Sequence, residues 1–354
     1  MSRPTALTAE PVEPADAPVG VLVMAHGTPA APDEVEPFYT SIRRGRPPTP
    51  QLLDDLVRRY DALGGTSPLA ERTRAQVDGL AATLEAATPG GYTVRYGAKH
   101  TSPSIEDGVH ALGRAGVDHI VGIVLTPHQS SLGSGEYLRR AADAAATATP
   151  PLPFTPIPAW YRAPGFAGLL AERTGATLAE LTPEERRRTS VFFTAHSLPQ
   201  RVVAEGDPYP DQVHQSAADI AGLLGLDDVP GLTWGVAWQS AGRTAEPWIG
   251  PDLLAEIRRV ADQGSTSVVV CPVGFVSDHL EVLFDLDIEA ADIARSVGLA
   301  FARTPSLNDD PRFLAVLADV VRAAAPPAAP LAAPGAAPGG IDPPPSSAAC
   351  PAPT

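Results

Sequence analysis

Short apolar runs alternate with helical patterns along most of this chain, and this alternation restricts the possible fold more than any other feature. The run VGVLVMA at residues 19–25 ends in His-Gly-Thr-Pro, which predicts a buried strand followed by a turn. Similar runs occupy residues 92–97, 120–126, 190–195, 232–238 and 267–273. Helical patterns occupy residues 50–63, 69–87, 104–113, 136–147, 212–224 and 251–263. Such alternation predicts an α/β fold in which helices cover both faces of parallel sheets.

The length of 354 residues is the second constraint, because it exceeds what one ordinary hydrophobic core serves. We therefore expect two lobes, joined by the stretch PPLPFTPIP at residues 150–158, where clustered prolines exclude a helix or a central strand. Residues 1–17 and 326–354 are rich in Pro and Ala and have little to bury. This composition predicts disorder at both ends.

Charge, hydropathy and cysteine content exclude several classes of protein. A net charge of −15 argues against nucleic-acid or anionic-membrane binding. No apolar run reaches the roughly 18 residues of a transmembrane helix, and the N-terminus lacks an export signal, so we expect a cytoplasmic protein without stable membrane association. Only Cys271 and Cys350 are present, too few for a disulfide framework or a four-cysteine metal site. Phosphate-loop, dinucleotide, esterase and zinc-protease motifs are absent.

Two histidines follow predicted strands in the same local sequence. His26 lies in AHGTP at residues 25–29, and His196 lies in AHSLP at residues 195–199. Ligands of open α/β sheets bind at the carboxyl ends of strands, so the echo fits two similar halves that face one cleft. A chance match between short strings is the alternative. A histidine at such a place can accept a proton or hold a transition metal.

A ladder of carboxylates follows the apolar run SVVVCPVGF. If residues 278–294 are helical, Glu281, Asp285 and Glu289 are spaced i, i+4 and i+8 and share one face. Like charges at this spacing repel, so the face is either solvated or in contact with cations. Its position after a predicted strand end favours a cation site that includes His196.

Basic residues cluster at two places in this acidic chain. Arg43, Arg44 and Arg46 stand in a proline-bounded loop, and Lys99 and His100 follow the strand YTVRYGA. Arginine forks pair with carboxylates or phosphates, whereas a solvated loop is the alternative interpretation. Lys99 is the only lysine among 26 basic residues, which suggests a position that needs a compact, flexible charge.

From about residue 19 to residue 321, the chain resembles the ferrochelatase family. The resemblance rests on long segments in the same order: VLVMAHGTP, FYTSIRRGRPP, RYDALGGTSPLAERT, FTAHSLPQRV, GDPYPDQVHQSA, WQSAGRTAEPWIGPD and PVGFVSDHLEVLFDLDIEA. It implies a chelatase-like fold with Rossmann-like lobes at residues 18–150 and 151–308, and a C-terminal helix at 309–325 that joins the first lobe. A porphyrin would lie in the cleft between the lobes.

The resemblance also implies roles for individual residues. His196 and Glu281 match the family's metal-insertion pair, and Asp285 and Glu289 match a metal entry route along an irregular π-type helix. The residues that match porphyrin-binding positions are His26, Arg43, Arg44, Arg46, Ser67, Lys99, His100 and Tyr137. Relatives often have Tyr in place of His26, so we expect His26 to be the axial ligand of the product iron.

The function implied is insertion of Fe²⁺ into coproporphyrin III, as in the soluble branch of actinobacterial type, to give coproheme and two protons in haem biosynthesis. The alternatives are a protoporphyrin IX ferrochelatase, another tetrapyrrole chelatase, or a non-catalytic haem-binding protein. We expect a monomer that has iron as its substrate, no tightly bound cofactor and no iron–sulfur cluster. Its product would pass to a coproheme decarboxylase.

Overall fold

A computed structural model describes residues 17–326 of the chain, apart from Arg243 and Ala245. The predicted disorder of the two termini falls almost entirely outside these residues. The span Ala17–Ala325 is one compact unit. Within it, every helix is too short or too polar to cross a lipid bilayer.

Two four-stranded parallel sheets form the framework, as the alternation of strands and helices predicts. The first sheet has the order β2-β1-β3-β4 and contains β1 (Val19–Ala25), β2 (Tyr92–Ala98), β3 (Ile120–Val124) and β4 (Phe154–Ile157). The second has the order β6-β5-β7-β8 and contains β5 (Thr189–His196), β6 (Thr233–Gln239), β7 (Ser267–Cys271) and β8 (Ala300–Arg303). The fold class predicted from the sequence is thereby confirmed.

Helices connect the strands and cover the sheets. In the first half they are α1 (Val35–Ile42), α2 (Pro50–Asp61), α3 (Leu69–Ala87), α4 (Ile105–Arg114) and α5 (Ser134–Thr147). The second half adds α6 (Phe166–Glu180), α7 (Gln200–Ala204), α8 (Tyr209–Leu224), α9 (Leu253–Asp262), α10 (Leu280–Leu283), a π-helical segment (Asp285–Ala290), α11 (Ala291–Ser296) and α12 (Pro311–Ala324).

Several helix ends follow local sequence signals. Ser104 and Asp107 form a reciprocal capping box at the start of α4. The Thr49 hydroxyl accepts from Leu52 N at the start of α2, and α8 ends at Gly225, whose φ of 61° suits a residue without Cβ. These signals explain why the predicted helices lie within a few residues of the observed ones.

Two short strands were not predicted. β4 lies inside the proline-rich stretch at residues 150–158, where only an exclusion of helix and central strand was inferred. It pairs on one side only, with β3, and an edge strand tolerates Pro156 because one row of its backbone groups needs no sheet partner. β8 is the edge strand of the second sheet, and its four residues are half-buried.

One hydrophobic core runs through both halves of the chain. It contains Val21 and Leu80 from the first half, and Phe193, Val269 and Phe313 from the second, all fully buried. Gly79 allows α12 to approach α3 closely, since a Cβ there would lie 2.3 Å from a Leu314 methyl and that side chain would have to move. Two smaller clusters fill the outer faces of the sheets. The lobe boundaries at residues 150 and 308 stay a prediction.

The sheet geometry brings chemically active residues to matching strand ends. In the first sheet, Ala25 and Ala98 lie side by side at the ends of β1 and β2, directly before His26 and Lys99. In the second, His196 pairs in register with Gln239 at the ends of β5 and β6. The candidate site is built on these two edges.

Candidate active site

The carboxyl end of β5 carries His196, which is in contact with Glu281 of α10. The His196 Nε2 atom lies 3.5 Å from Glu281 Oε1, and Nδ1 donates to the Ser197 carbonyl at 2.5 Å. Tyr209 of α8 donates its hydroxyl to the His196 carbonyl at 3.1 Å. The structure therefore joins the two residues that the resemblance pairs, and holds the imidazole by its other nitrogen.

This contact changes the protonation of both side chains. Burial lowers the pKa of His196, but the negative charge of Glu281, the hydrogen bonds to Glu281 and Ser197 and the charge of Asp285 together outweigh burial and raise the pKa to about 9. Burial raises the pKa of Glu281, but the charge of His196 and hydrogen bonds from His196 and His279 hold it well below its usual value. At neutral pH the pair is therefore an imidazolium and a carboxylate.

Gln239 connects the strand and the helix that carry this pair. Its side-chain Nε2 donates to the backbone carbonyl of Glu281 at 3.0 Å, and its own carbonyl accepts from Ser197 N at 2.8 Å. The residue is 4% exposed, and its Oε1 atom has no hydrogen-bond partner within the described part of the chain. The amide fixes the start of α10 relative to β5.

His279 is a further neighbour of the pair that sequence reasoning did not select. Its Nε2 atom lies 3.8 Å from Glu281 Oε2, and its Nδ1 atom donates to the Ser277 carbonyl at 2.9 Å. The signal in the sequence was its place two residues before Glu281. In the structure, His279 has extended backbone directly before α10 (φ −156°, ψ −178°). Glu281 thus has an imidazole at each carboxylate oxygen.

The acidic ladder continues from Glu281 into a π-helical segment, as the resemblance implies. Glu289 N donates to the Phe284 carbonyl at 2.9 Å, the i to i−5 bond of a π-helix. Asp285 is 5% exposed and accepts from Ser240 Oγ at 2.5 Å. Burial and the charge of Glu281 raise the pKa of Asp285 to about 6, while Ser240 and Arg59 oppose the rise.

Arg59 brings a cation from the first half of the chain to this ladder. Its Nη1 atom lies 3.1 Å from Asp285 Oδ1, and its guanidinium stacks over the Phe284 ring at 5.0 Å. Arg59 belongs to α2, and nothing in the local sequence distinguishes it from its neighbour Arg58. The sequence analysis therefore missed it.

The first half of the chain supplies a cluster of rings centred on His26. The centre of its ring lies 4.7 Å from that of His100, with the two rings inclined by 59°, and 5.6 Å from that of Phe38 in an edge-to-face contact. The ring has accessible surface, yet protein encloses it on several sides, and this desolvation lowers its pKa to about 4 even though the charge of Glu281 reaches it. Burial likewise lowers the pKa of His100 to about 3. Both imidazoles are neutral at neutral pH.

A cavity of about 400 Å³ opens beside these rings. Four of the predicted porphyrin-binding residues line it: His26, Arg44, Lys99 and His100. Other lining residues are Ser41, Leu132, Glu136 and Arg140, while His196 and Glu281 do not line it. Ser41 Oγ and His100 Nδ1 form a hydrogen bond of 3.0 Å on its wall. The predicted site residues thus include a cavity group (His26, Arg44, Lys99 and His100) and a separate pair (His196 and Glu281).

The remaining predicted binding residues lie outside the cavity wall. Tyr137 is buried beneath Lys99, whose Nζ stands 5.0 Å from the centre of the tyrosine ring. Arg43 donates through Nε to the Arg46 carbonyl at 3.3 Å, which shapes the basic loop. Ser67 is buried, and its hydroxyl accepts from Leu69 N at the start of α3. That hydroxyl therefore already has a structural partner.

The predicted metal ligands are arranged in series and not as one cluster. Among residues 17–326, no group of three or more His, Cys, Asp or Glu side chains is close enough to hold a metal ion. Glu281 stands in α10, whereas Asp285 and Glu289 stand in the π segment. Such an arrangement suits transient contact with a metal ion better than its retention.

Comparison with known proteins gives the family. The sequence profile of the ferrochelatase family matches residues 18–325. The chain belongs to the ferrochelatase family. A ferrochelatase of Herpetosiphon aurantiacus is 42% identical over 305 residues, which cover 86% of this chain and 98% of the relative.

Other similar ferrochelatases are named for one porphyrin. The coproporphyrin III ferrochelatase of Geobacillus thermodenitrificans is 42% identical, with 86% of this chain and 95% of the relative covered. That of Bacillus subtilis is 40% identical, with 86% and 96% covered. Among solved structures, SirB from Bacillus subtilis with Fe³⁺ matches with a TM-score of 0.51 at 13% identity, over 86% of this chain and 94% of that one. The last likeness supports the chelatase fold alone.

Proposed function

We propose that this chain inserts Fe²⁺ into coproporphyrin III, releasing two protons and giving coproheme for haem biosynthesis. Ferrochelatases are lyases, and membership of the family assigns this chain that activity with iron as substrate. The choice of coproporphyrin is the finer step. Relatives about 40% identical over most of the chain carry that porphyrin in their names.

The observation that carries the proposal is the contact between His196 and Glu281. Metalation removes two pyrrole protons, so the enzyme needs acceptors close to where the metal enters. Glu281 is ionised and can accept one proton directly. His196 is protonated at rest, and an approaching Fe²⁺ ion favours loss of its proton, which leaves a neutral imidazole for the metal or for a pyrrole proton.

The acidic ladder supplies the route by which iron reaches this pair. Glu289 and Asp285 in the π segment and Glu281 in α10 give hard oxygen ligands in sequence, and among the described residues none of them is part of a closed metal cage. Arg59 forms an ion pair with Asp285, and its positive charge lowers the repulsion between the carboxylates of the ladder.

The cavity group serves the porphyrin. Coproporphyrin carries four carboxylates, and Arg44, Lys99 and Arg140 place cationic groups on one cavity wall. His26 is neutral, and its Nδ1 atom contacts the Gly27 carbonyl at 3.3 Å, which leaves Nε2 free to bind the product iron as an axial ligand. Arg43, Arg46, Ser67, His100 and Tyr137 complete the proposed porphyrin-binding set.

The proposal includes no resident cofactor or iron–sulfur cluster. Cys271 is fully buried in β7, and burial raises its pKa to about 11, whereas cluster ligands are thiolates. We also propose a monomer, since the exposed large apolar side chains are single positions on different elements. A cytoplasmic location suits a ferrous substrate, and a coproheme decarboxylase would consume the product.

Anaerobic incubation with Fe²⁺ tests the proposal, with the Soret band followed for coproporphyrin III and protoporphyrin IX in parallel. We expect turnover of coproporphyrin III at the higher kcat/KM. Faster use of protoporphyrin IX, or of Co²⁺ with either porphyrin, would assign a different chelatase activity. Haem binding without any metalation would identify a carrier. For histidine variants of the site, such as His196→Ala, the exposed His110 offers a matched control, because His110→Ala should leave the rate of metalation unchanged.

A further inference from the structure

The single lysine of the chain is already neutralised inside the cavity. Lys99 Nζ lies 2.8 Å from Oε2 of Glu136, and both residues line the cavity wall. The lysine side chain is only 12% exposed, so this ion pair is well shielded from water. A ligand carboxylate that needs Lys99 therefore meets a carboxylate already in place.

Lys99 is held in position by contacts other than Glu136. Its Nζ atom donates to the Leu132 carbonyl at 3.4 Å and stands over the Tyr137 ring. Its backbone N donates to the Ala25 carbonyl at 2.9 Å, and Arg140 Nη1 donates to its backbone carbonyl at 2.9 Å. The backbone of Lys99 is thus anchored, and its ammonium group keeps the Leu132 carbonyl and the Tyr137 ring as neighbours if Glu136 leaves.

Glu136 is the partner that is free to move. Its side chain is 32% exposed, against 12% for Lys99. It also stands in the first turn of α5, where the helix dipole favours a negative charge without any contact to Lys99. Glu136 therefore keeps contact with water and with the helix dipole when it leaves the lysine, and a ligand carboxylate replaces it at Lys99.

A second cationic residue of the cavity, Arg44, differs from Lys99 in its ion pairing. Arg44 lines the cavity and has no ion-pair partner within the described residues. Its φ of 58° presents it from a turn of left-handed backbone. An anionic ligand can pair with Arg44 at once, whereas Lys99 is reached only by exchange.

We propose that Glu136 is a resident carboxylate that occupies Lys99 in the free enzyme and gives way there to a carboxylate of the tetrapyrrole. Glu136 thus determines specificity. A porphyrin with a carboxylate next to Lys99 replaces the ion pair that Glu136 gives up, whereas a porphyrin with an apolar group there leaves the Lys99–Glu136 pair intact and gains no contact with Lys99. The inference rests on the proposed function, because it requires a porphyrin in this cavity.

Equilibrium binding of metal-free porphyrins tests the exchange, with porphyrin fluorescence as the readout. We expect Glu136→Gln to bind coproporphyrin III about tenfold more tightly, since the ligand then forms a charge-assisted hydrogen bond without competition. Binding of protoporphyrin IX, which has two carboxylates in place of four, should change by less than about twofold. Asp143→Asn is the matched control, because it removes the same charge from an exposed position on α5.

A double-mutant cycle separates the local exchange from a general charge effect. In a Lys99→Met background, Glu136→Gln should no longer tighten binding of coproporphyrin III. With Lys99 present, kcat should fall in Glu136→Gln, because the product keeps all four carboxylates and leaves more slowly.

Three results would overturn the inference: no change in Glu136→Gln, an equal change for both porphyrins, or the same change in Asp143→Asn. The proposed function fails separately, if the unaltered enzyme binds porphyrin but inserts no iron.

Discussion

His26 and His196 stand at the carboxyl ends of central strands of the two sheets in the same local sequence, yet only His196 is charged at neutral pH. Desolvation by the surrounding protein lowers the pKa of His26 to about 4, whereas contact with Glu281 raises the pKa of His196 to about 9. The charge of Glu281 reaches both rings, but only His196 is within 3.5 Å of its carboxylate. Proximity to one carboxylate therefore decides which histidine is a cation and which is a neutral ligand.

The largest effect is expected when Glu281, which makes the charges of the two histidines differ, is replaced. Glu281→Gln should lower the pKa of His196 and reduce the rate of iron insertion by about 10³-fold, because the site loses its ionised acceptor. His196→Ala should have a similar effect, and both variants should still bind porphyrin. The anaerobic Soret assay and an NMR titration of the His196 ring measure the two consequences. Full iron insertion by either variant would refute the assignment of the pair.

A second prediction concerns the ion pair between Arg59 and Asp285, which connects the acidic ladder to the first half of the chain. Arg59→Met should lower the free energy of unfolding by about 2 kcal/mol, since it leaves the buried Asp285 carboxylate without its cation. Arg58→Met is the control: Arg58 is 71% exposed, and its loss should cost less than about 0.5 kcal/mol. Urea denaturation measures both.

In an Asp285→Asn background, the added effect of Arg59→Met should largely disappear. Equal losses from the two arginine substitutions would show that the link between the halves contributes nothing specific.

The two histidines should also change stability with pH in opposite directions. Both titrate near pH 6.5 in the unfolded chain. The folded pKa of His196 lies above this value, so its contribution of about 2 kcal/mol is fully present below about pH 6.5 and is lost as the pH rises through 9. The folded pKa of His26 lies below it, so stability falls as the pH drops from about 6.5 towards 4.

Unfolding free energies of His26→Gln and His196→Gln, measured from about pH 5 to about pH 9.5, test this contrast. His26→Gln should gain on the unaltered protein at the acidic end, and the deficit of His196→Gln should shrink at the alkaline end. Parallel curves for the two variants would contradict the assigned protonation states.

The smallest effect on rate is expected for His26→Ala. Its loss should change the haem absorption spectrum of the product complex, because a neutral imidazole no longer binds the iron. The rate of metalation should change by less than about tenfold, since His26 takes no proton at neutral pH. An unchanged product spectrum would remove His26 from the iron site, and His110→Ala serves as the spectral control.

Much of the framework was readable from the sequence because it depends on local periodicity. The run at residues 19–25 coincides with β1, and residues 69–87 coincide with α3. The strand-end positions of His26 and His196 follow from the same patterns. β4 and β8 escaped prediction since four-residue edge strands offer too few positions for a period of two, and β4 includes a proline.

The candidate site was readable only where its residues share a segment. Glu281, Asp285 and Glu289 form one ladder along the chain, and the resemblance implied its π-helical form. Arg59 contacts Asp285 across 226 positions, and no pattern near Arg59 announces this. The Ser67 hydroxyl, which is predicted to bind the porphyrin, also accepts from the backbone at the start of α3, a contact that the sequence did not announce.

The sequence by itself determined the parallel sheets, the two histidines at strand ends and the order of acidic residues, because each depends on neighbours along the chain. Only the tertiary structure decided which histidine carries a charge, which arginine meets the ladder and that Lys99 is already paired with Glu136. The physical reason is that ionisation depends on distances between groups on different elements, and packing of the whole chain sets those distances.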